Sequence, residues 1–216
     1  MPEYDESKNR MTLKLVYYGP ALSGKTSNLT RLHDLLRPEL KGEMMMLDTK
    51  NDRTLFFDML PVGLKAPSGL LIKIKLYTVP GQVAHDSTRK AVLSRADGVV
   101  FVADSQLNQR LNNAESFENL ADNANKVGLD FEKMPLVIQF NKRDLPQIET
   151  EQAINERWLQ TGWPILFASA ISGAGVLETF VVLLDRVYEI IDKEYALADQ
   201  HQLSKQNFIS GMTGAA

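Results

Sequence analysis

The chain of 216 residues contains no cysteine. Disulfides, thiolate nucleophiles and cysteine-ligated zinc are thereby excluded, and nothing suggests an oxidising compartment. Histidine is nearly as scarce: His33, His85 and His201 are the three present, and no two lie at metal-ligand spacing, so a zinc site is not supported. There is no basic excess either, since 24 Lys and Arg stand against 27 Asp and Glu for a net charge of −3. Binding to nucleic acid or to an anionic membrane would want a positive stripe, and none is visible. No apolar run approaches the roughly 18 residues needed to span a bilayer, and the acidic, polar stretch over 1–7 does not read as a signal peptide. Pro2 stands where myristoylation needs glycine, and the last residues, Gly214, Ala215 and Ala216, offer no prenylated cysteine. The expectation is a cytoplasmic protein with no direct membrane anchor and no nucleic-acid partner.

What is present is ordinary globular material, 44% apolar and 24% charged, enough for a proper core. Strand-like and helix-like segments alternate without repeats or low-complexity linkers, which predicts one α/β domain with a mainly parallel sheet. Strands are expected over 13–18, 70–79, 98–103, 136–140 and 165–168. Helices are expected over 25–36, 86–94, 114–127, 151–161 and 175–195. The stretch 41–67, with its run Met44, Met45 and Met46, reads equally as strand or helix turn; the methionines read as core or edge filling. A polar lead over 1–11 and a flexible tail over 197–216 are expected to flank the domain.

The chain is organised around Gly19-Pro20-Ala21-Leu22-Ser23-Gly24-Lys25-Thr26, a match to G-x-x-x-x-G-K-[ST] at every specified position. A strand precedes it and a helix follows, the context a phosphate-binding loop requires. Its glycines let successive N–H groups, from Gly19, Ala21, Leu22, Ser23, Gly24 and on to Ser27, converge on phosphates with the positive end of the helix dipole. Lys25 is expected to reach the β- and γ-phosphates, and the Thr26 hydroxyl to ligate Mg²⁺.

A second motif, Asn141-Lys142-Arg143-Asp144, follows the apolar strand over 136–140, at the carboxyl end where open α/β sheets bind ligands. The Asp144 carboxylate can accept from both N1–H and the N2 amino group of guanine, whereas adenine would turn a bare lone pair toward it. Such a mismatch supports discrimination on the order of 10⁴. Asn141 is expected to meet the N7 edge and tie this loop to the phosphate loop, and the Lys142 stem to cover the sugar and base face. Downstream, Ser169 and Ala170 complete the set, the Ala170 N–H facing guanine O6. A third motif is Pro80-Gly81-Gln82: the Gly81 N–H can donate to a γ-phosphate and Gln82 can orient the attacking water. Thr54 is placed to complete the Mg²⁺ shell. Arg53 beside it reads either as an arginine finger supplied in cis or as a surface ion pair with Asp52 or Asp58.

Taken together with Val16 to Pro20, Asp52 to Asp58, Tyr77 to Gln82, Val99 to Gln106 and Asn141 to Pro146, these motifs resemble the Ras-like small GTPases, and within them the bacterial gliding-motility (MglA) group. The resemblance covers about residues 12–196. It implies a Ras-like P-loop GTPase fold with helices on both faces of the sheet, bound GTP or GDP with Mg²⁺, and catalysis by Gln82 and Arg53. It also implies a polarity or motility switch read by downstream effectors and accelerated by a roadblock-fold (MglB-like) activator. Two departures stand out. Thr78 replaces the aspartate most Ras-like proteins use toward Mg²⁺, which implies a weaker metal site and slow unaided turnover. Ala21 adds a methyl inside the phosphate loop, where it can crowd Gln82 or Arg53. The alternative reading is a GTP/GDP-binding scaffold with negligible hydrolysis.

Overall fold

A computed structural model of the protein describes residues 2–47, 57–81 and 86–214. Its centre is β2 (Arg10–Tyr18), joined in parallel to β5 (Leu71–Thr78) on one side and to β6 (Gly98–Asp104) on the other. Beyond β6 the parallel order continues through β7 (Leu136–Asn141) to β8 (Ile165–Phe167). On the opposite flank β4 (Phe57–Lys65) runs antiparallel to β5, and the short β3 (Met45–Leu47) closes that edge. With β1 (Glu3–Asp5), which pairs antiparallel with the first residues of β2, the described sheet has eight strands.

The central strands are apolar on both faces because both faces are covered. Along β2, Met11, Leu13, Leu15 and Tyr17 enter one core cluster, whereas Val16 and Tyr18 enter the other. The same period-two division sends Val100 and Val102 of β6 one way and Val99, Phe101 and Ala103 the other. The first layer is built on α1 (Lys25–Leu35) and α5 (Val176–Tyr195), the latter burying Val176, Phe180, Leu183, Leu184, Val187 and Ile191 at helical spacing. The second is built on α2 (Asp86–Leu93), α3 (Arg110–Lys126) and α4 (Glu151–Trp158), where Trp158 packs edge-on against Phe117 and Phe140. Both tryptophans belong to this packing, as Trp163 stacks edge-on with Phe131.

One open reading is resolved and two expectations need correction. The ambiguous stretch over 41–67 contributes β3 and β4, an antiparallel pair outside the parallel pattern. The polar lead is part of the sheet: β1 pairs Tyr4 with Met11, and β2 begins at Arg10, so a boundary after residue 11 falls inside a strand. The tail, over its described residues 197–214, is folded onto the domain. Beyond Ala196, which ends α5 in the left-handed conformation, lie α6 (Leu197–His201) and α7 (Lys205–Thr213). Ser204 caps α7 by accepting from the Asn207 N–H, and Leu203, Phe208 and Met212 are buried against α5 and β4. The Tyr188 hydroxyl donates to the Leu203 carbonyl at 2.7 Å, locking the turn between the two helices.

Candidate functional site

The carboxyl ends of β2, β6 and β7 open on the same side, and the loops that leave them meet there. The turn after β2 is held by two backbone positions that exclude larger residues. A Cβ on Gly19, at φ +141°, would lie 2.2 Å from the Val102 carbonyl oxygen, and one on Gly24, at φ +97°, would lie 2.2 Å from Asn141 Nδ2. Leu22 sits at φ 62° on the crest of the loop with 87% of its surface exposed, a left-handed conformation costing about 1–3 kcal/mol that the surrounding turn imposes. Lys25 opens α1 and is buried; its Nζ donates to the Gly19 carbonyl at 3.0 Å and to that of Pro20 at 2.6 Å. Burial first, and then the charge of Arg89, pull its pKa down to about 7. Ser23 beside it is buried, with a hydroxyl that has no hydrogen-bond partner among the described residues.

Asn141, at the end of β7, joins the two halves of the site. Its Nδ2 donates to the Ser23 carbonyl at 2.8 Å, as the sequence predicts for a tie to the phosphate loop, and its Oδ1 accepts from the Ala170 N–H at 2.9 Å. That N–H, expected to face a base carbonyl, therefore already has a partner. Asp144 accepts from the Ser169 hydroxyl at 2.5 Å, which aims the carboxylate. Lys142, at φ 67°, is held by Asp104 through a 2.6 Å ion pair, so its stem lies along the cleft wall. These groups line a cleft of about 200 Å³ bounded by Leu22, Gly24, Ser27, Asn141, Lys142 and Asp144 together with Leu145, Ala170 and Ile171. Its lining brings the Asp144 carboxylate together with the Gly24 backbone that opens α1.

One residue that sequence reasoning missed stands at the other corner. Asp58, on β4, is buried, and its Oδ2 accepts from the Thr26 hydroxyl at 2.6 Å and from the Thr78 hydroxyl at 3.1 Å. The Asp58 N–H in turn donates to Thr78 Oγ1 at 2.9 Å. The carboxylate absent at 78 is thus supplied from the neighbouring strand. The signal available was a lone charge inside the otherwise apolar run Phe57-Asp58-Met59-Leu60, but the register that brings it to Thr26 was not.

Pro80 and Gly81 follow β5 and press against the phosphate loop: a Cβ on Gly81 would come within 2.3 Å of Ala21 Cα. The methyl-bearing Ala21 therefore meets Gly81 directly. Arg53, Thr54 and Gln82, and likewise Asp52 and His85, lie outside the described residues. The other two histidines have structural contacts, His33 near Asp34 and His201 with the Ser68 hydroxyl. Among the described residues no cluster of three or more His, Asp or Glu is placed to hold a metal on its own, and no helix is long and apolar enough to cross a membrane.

A doubly wound sheet with a phosphate loop after β2 and an Asn-Lys-x-Asp turn after β7 is the arrangement of a guanine-nucleotide-binding protein, and comparison with known proteins agrees. The profile of the ADP-ribosylation factor family matches residues 62–187, and the chain belongs to the Arf/Ras-like small GTPases, enzymes that bind guanine nucleotides and hydrolyse GTP. More particularly, it is 46% identical over 173 residues to the mutual gliding-motility protein MglA of Myxococcus xanthus, covering 80% of this chain and 89% of that protein. It is 27% identical over 187 residues, 84% of each chain, to the human ADP-ribosylation factor-like protein 4D, and to the same extent to its bovine counterpart.

Proposed function

We propose that this GTPase is a nucleotide-dependent switch for cell polarity or motility, the name of its Myxococcus relative pointing to motility, and that a roadblock-fold partner accelerates its GTP cleavage. The observation that carries the nucleotide reading is the Asn141 side chain, which bonds the Ser23 carbonyl and the Ala170 N–H at once. It makes the phosphate loop and the base cleft one rigid receptor. In this reading Asp144, aimed by Ser169, accepts from the guanine edge, and the backbone N–H groups of the loop with Lys25 take the phosphates. Gly81 donates to the γ-phosphate, Gln82 orients the attacking water, and Arg53 meets the charge that develops on the departing phosphate oxygens.

The residues present fit Mg²⁺. The Asp58 carboxylate is buried and accepts from the Thr26 and Thr78 hydroxyls, with no cationic partner among the described residues. Thr26 and Asp58 would hold the ion, with Thr54 joining from the segment between β3 and β4. When bound, it supplies charge neutralisation to the β- and γ-phosphates. The weak metal site anticipated from Thr78 is offset to the extent that Asp58 takes over that charge.

Single-turnover GTP cleavage by wild type, Arg53→Ala and Gln82→Ala, alone and with a roadblock-fold partner, tests this reading. The partner is expected to accelerate wild type about tenfold or more, with either substitution removing most of that gain while GTP still binds. One negligible rate shared by all three with every partner would leave a guanine-nucleotide-binding scaffold instead.

A further inference from the structure

Arg89, on α2, is buried, yet no carboxylate pairs with it among the described residues. Its Nε donates to the Pro80 carbonyl at 2.9 Å, one terminal nitrogen donates to the Gly81 carbonyl, and the other donates to Asn119 Oδ1 at 2.8 Å. The guanidinium lies 5.9 Å from the centre of the Tyr18 ring, at the end of β2. Asn119 and Asn123 on α3 continue the network to Asp86 and to the Tyr18 hydroxyl, so the fork is held from three elements. An arginine has the planar, multi-donor shape needed to grip two consecutive carbonyls and an amide together.

The consequence follows from peptide geometry. The Pro80 carbonyl and the Gly81 N–H belong to one trans, planar unit and point in opposite directions. With Pro80 oxygen fixed on Arg89, the Gly81 N–H is turned away from α2. Gly81 itself is pressed on Ala21 of the phosphate loop. We propose that Arg89 is a positioning residue that, by holding the Pro80 and Gly81 carbonyls, presents the Gly81 N–H to the γ-phosphate and so makes the protein distinguish GTP from GDP. The inference rests on the nucleotide reading of the site. It concerns chiefly the third phosphate, because Arg89 makes no hydrogen bond to the loop around Lys25 or to the base cleft and reaches Lys25 through its charge alone, which Arg89→Lys retains.

The test is the ratio of affinities for a non-hydrolysable GTP analogue and for GDP, measured by competition against a fluorescent GDP on the full chain. For Arg89→Met the ratio is expected to fall about tenfold, the loss of one charge-assisted hydrogen bond, with GDP affinity within about twofold of wild type. Arg89→Lys keeps the charge but cannot span both carbonyls, and its ratio is expected to fall about threefold or more. The lysine variant decides the matter if the methionine variant does not fold. An unchanged ratio in the folded variants overturns the proposal, as does an equal loss of affinity for both nucleotides, which would mark Arg89 as a structural residue only. Failure of wild type to bind either nucleotide would overturn the underlying reading of the site as well, and is told apart by the fluorescent GDP alone.

Discussion

Among the described residues burial leaves the Lys25 ammonium with two backbone carbonyls to replace water, and its pKa drops from 10.5 to about 7. Between those values the unfolded chain holds a proton there that the folded chain does not, so this group's contribution to stability rises with pH across that window. A phosphate reaching the loop reverses the balance, because an adjacent anion restores the charge. Nucleotide binding is therefore expected to take up about one proton at roughly pH 8.5 and almost none near pH 6, with affinity declining as pH rises between them. Titration calorimetry in buffers of different ionisation enthalpy measures the uptake directly, and heats at pH 8.5 that do not depend on the buffer would refute it. At this scale the part of the candidate site carried by contiguous motifs was legible in the sequence, whereas Arg53, Thr54 and Gln82 lie outside the described residues. Gly19, Gly24, Lys25, Asn141 and Asp144 act through short contiguous motifs in which residue type and local backbone carry the chemistry. Asp58 and Arg89 were not legible, because each acts through a partner 20 or more residues away or through carbonyls whose direction only the fold defines.

Among the elements, α7 is the one whose presence was least readable. Its apolar positions are few, Phe208, Ile209 and Met212 with Leu203 ahead of the cap, and they make sense only against surface offered by α5 and β4. Gly211 lets the helix lie close, since a Cβ there would already be 3.2 Å from Leu64 Cδ2. The long helices and parallel strands, by contrast, announced themselves through periodicity sustained over many residues, as α5 does over 20. Phe208 stacks on Tyr188 with ring centres 5.5 Å apart and is fully buried. Phe208→Ala is expected to cost about 3–5 kcal/mol of docking energy, enough to free α7 from the sheet, while nucleotide affinity stays within about twofold. Limited proteolysis between α6 and α7 reports the release; a protease-resistant variant with wild-type denaturation would show that the helix is held by something else.

For the whole molecule, the parallel half of the sheet was readable and the antiparallel flank was not, because β3 and β4 lack the alternation with helices that betrays parallel order. That flank carries Asp58, whose place depends on a strand register in which Met59 pairs with Tyr77. Side chains alternate faces with a period of two, so a slip by one residue would turn the carboxylate to the other face. A cation held between Thr26 and Asp58 would thus act as a ratchet pawl on β4: it binds one register and penalises every other. Reciprocity then requires that whatever draws β4 along its axis weaken the metal by the same factor by which the metal resists the movement. Hydrogen exchange of the amides over 57–65, with GDP saturating, is accordingly expected to slow on adding Mg²⁺ in wild type and to be indifferent to it in Asp58→Asn. A partner that grips this edge of the sheet would control the ion, and through it the phosphates, without touching either.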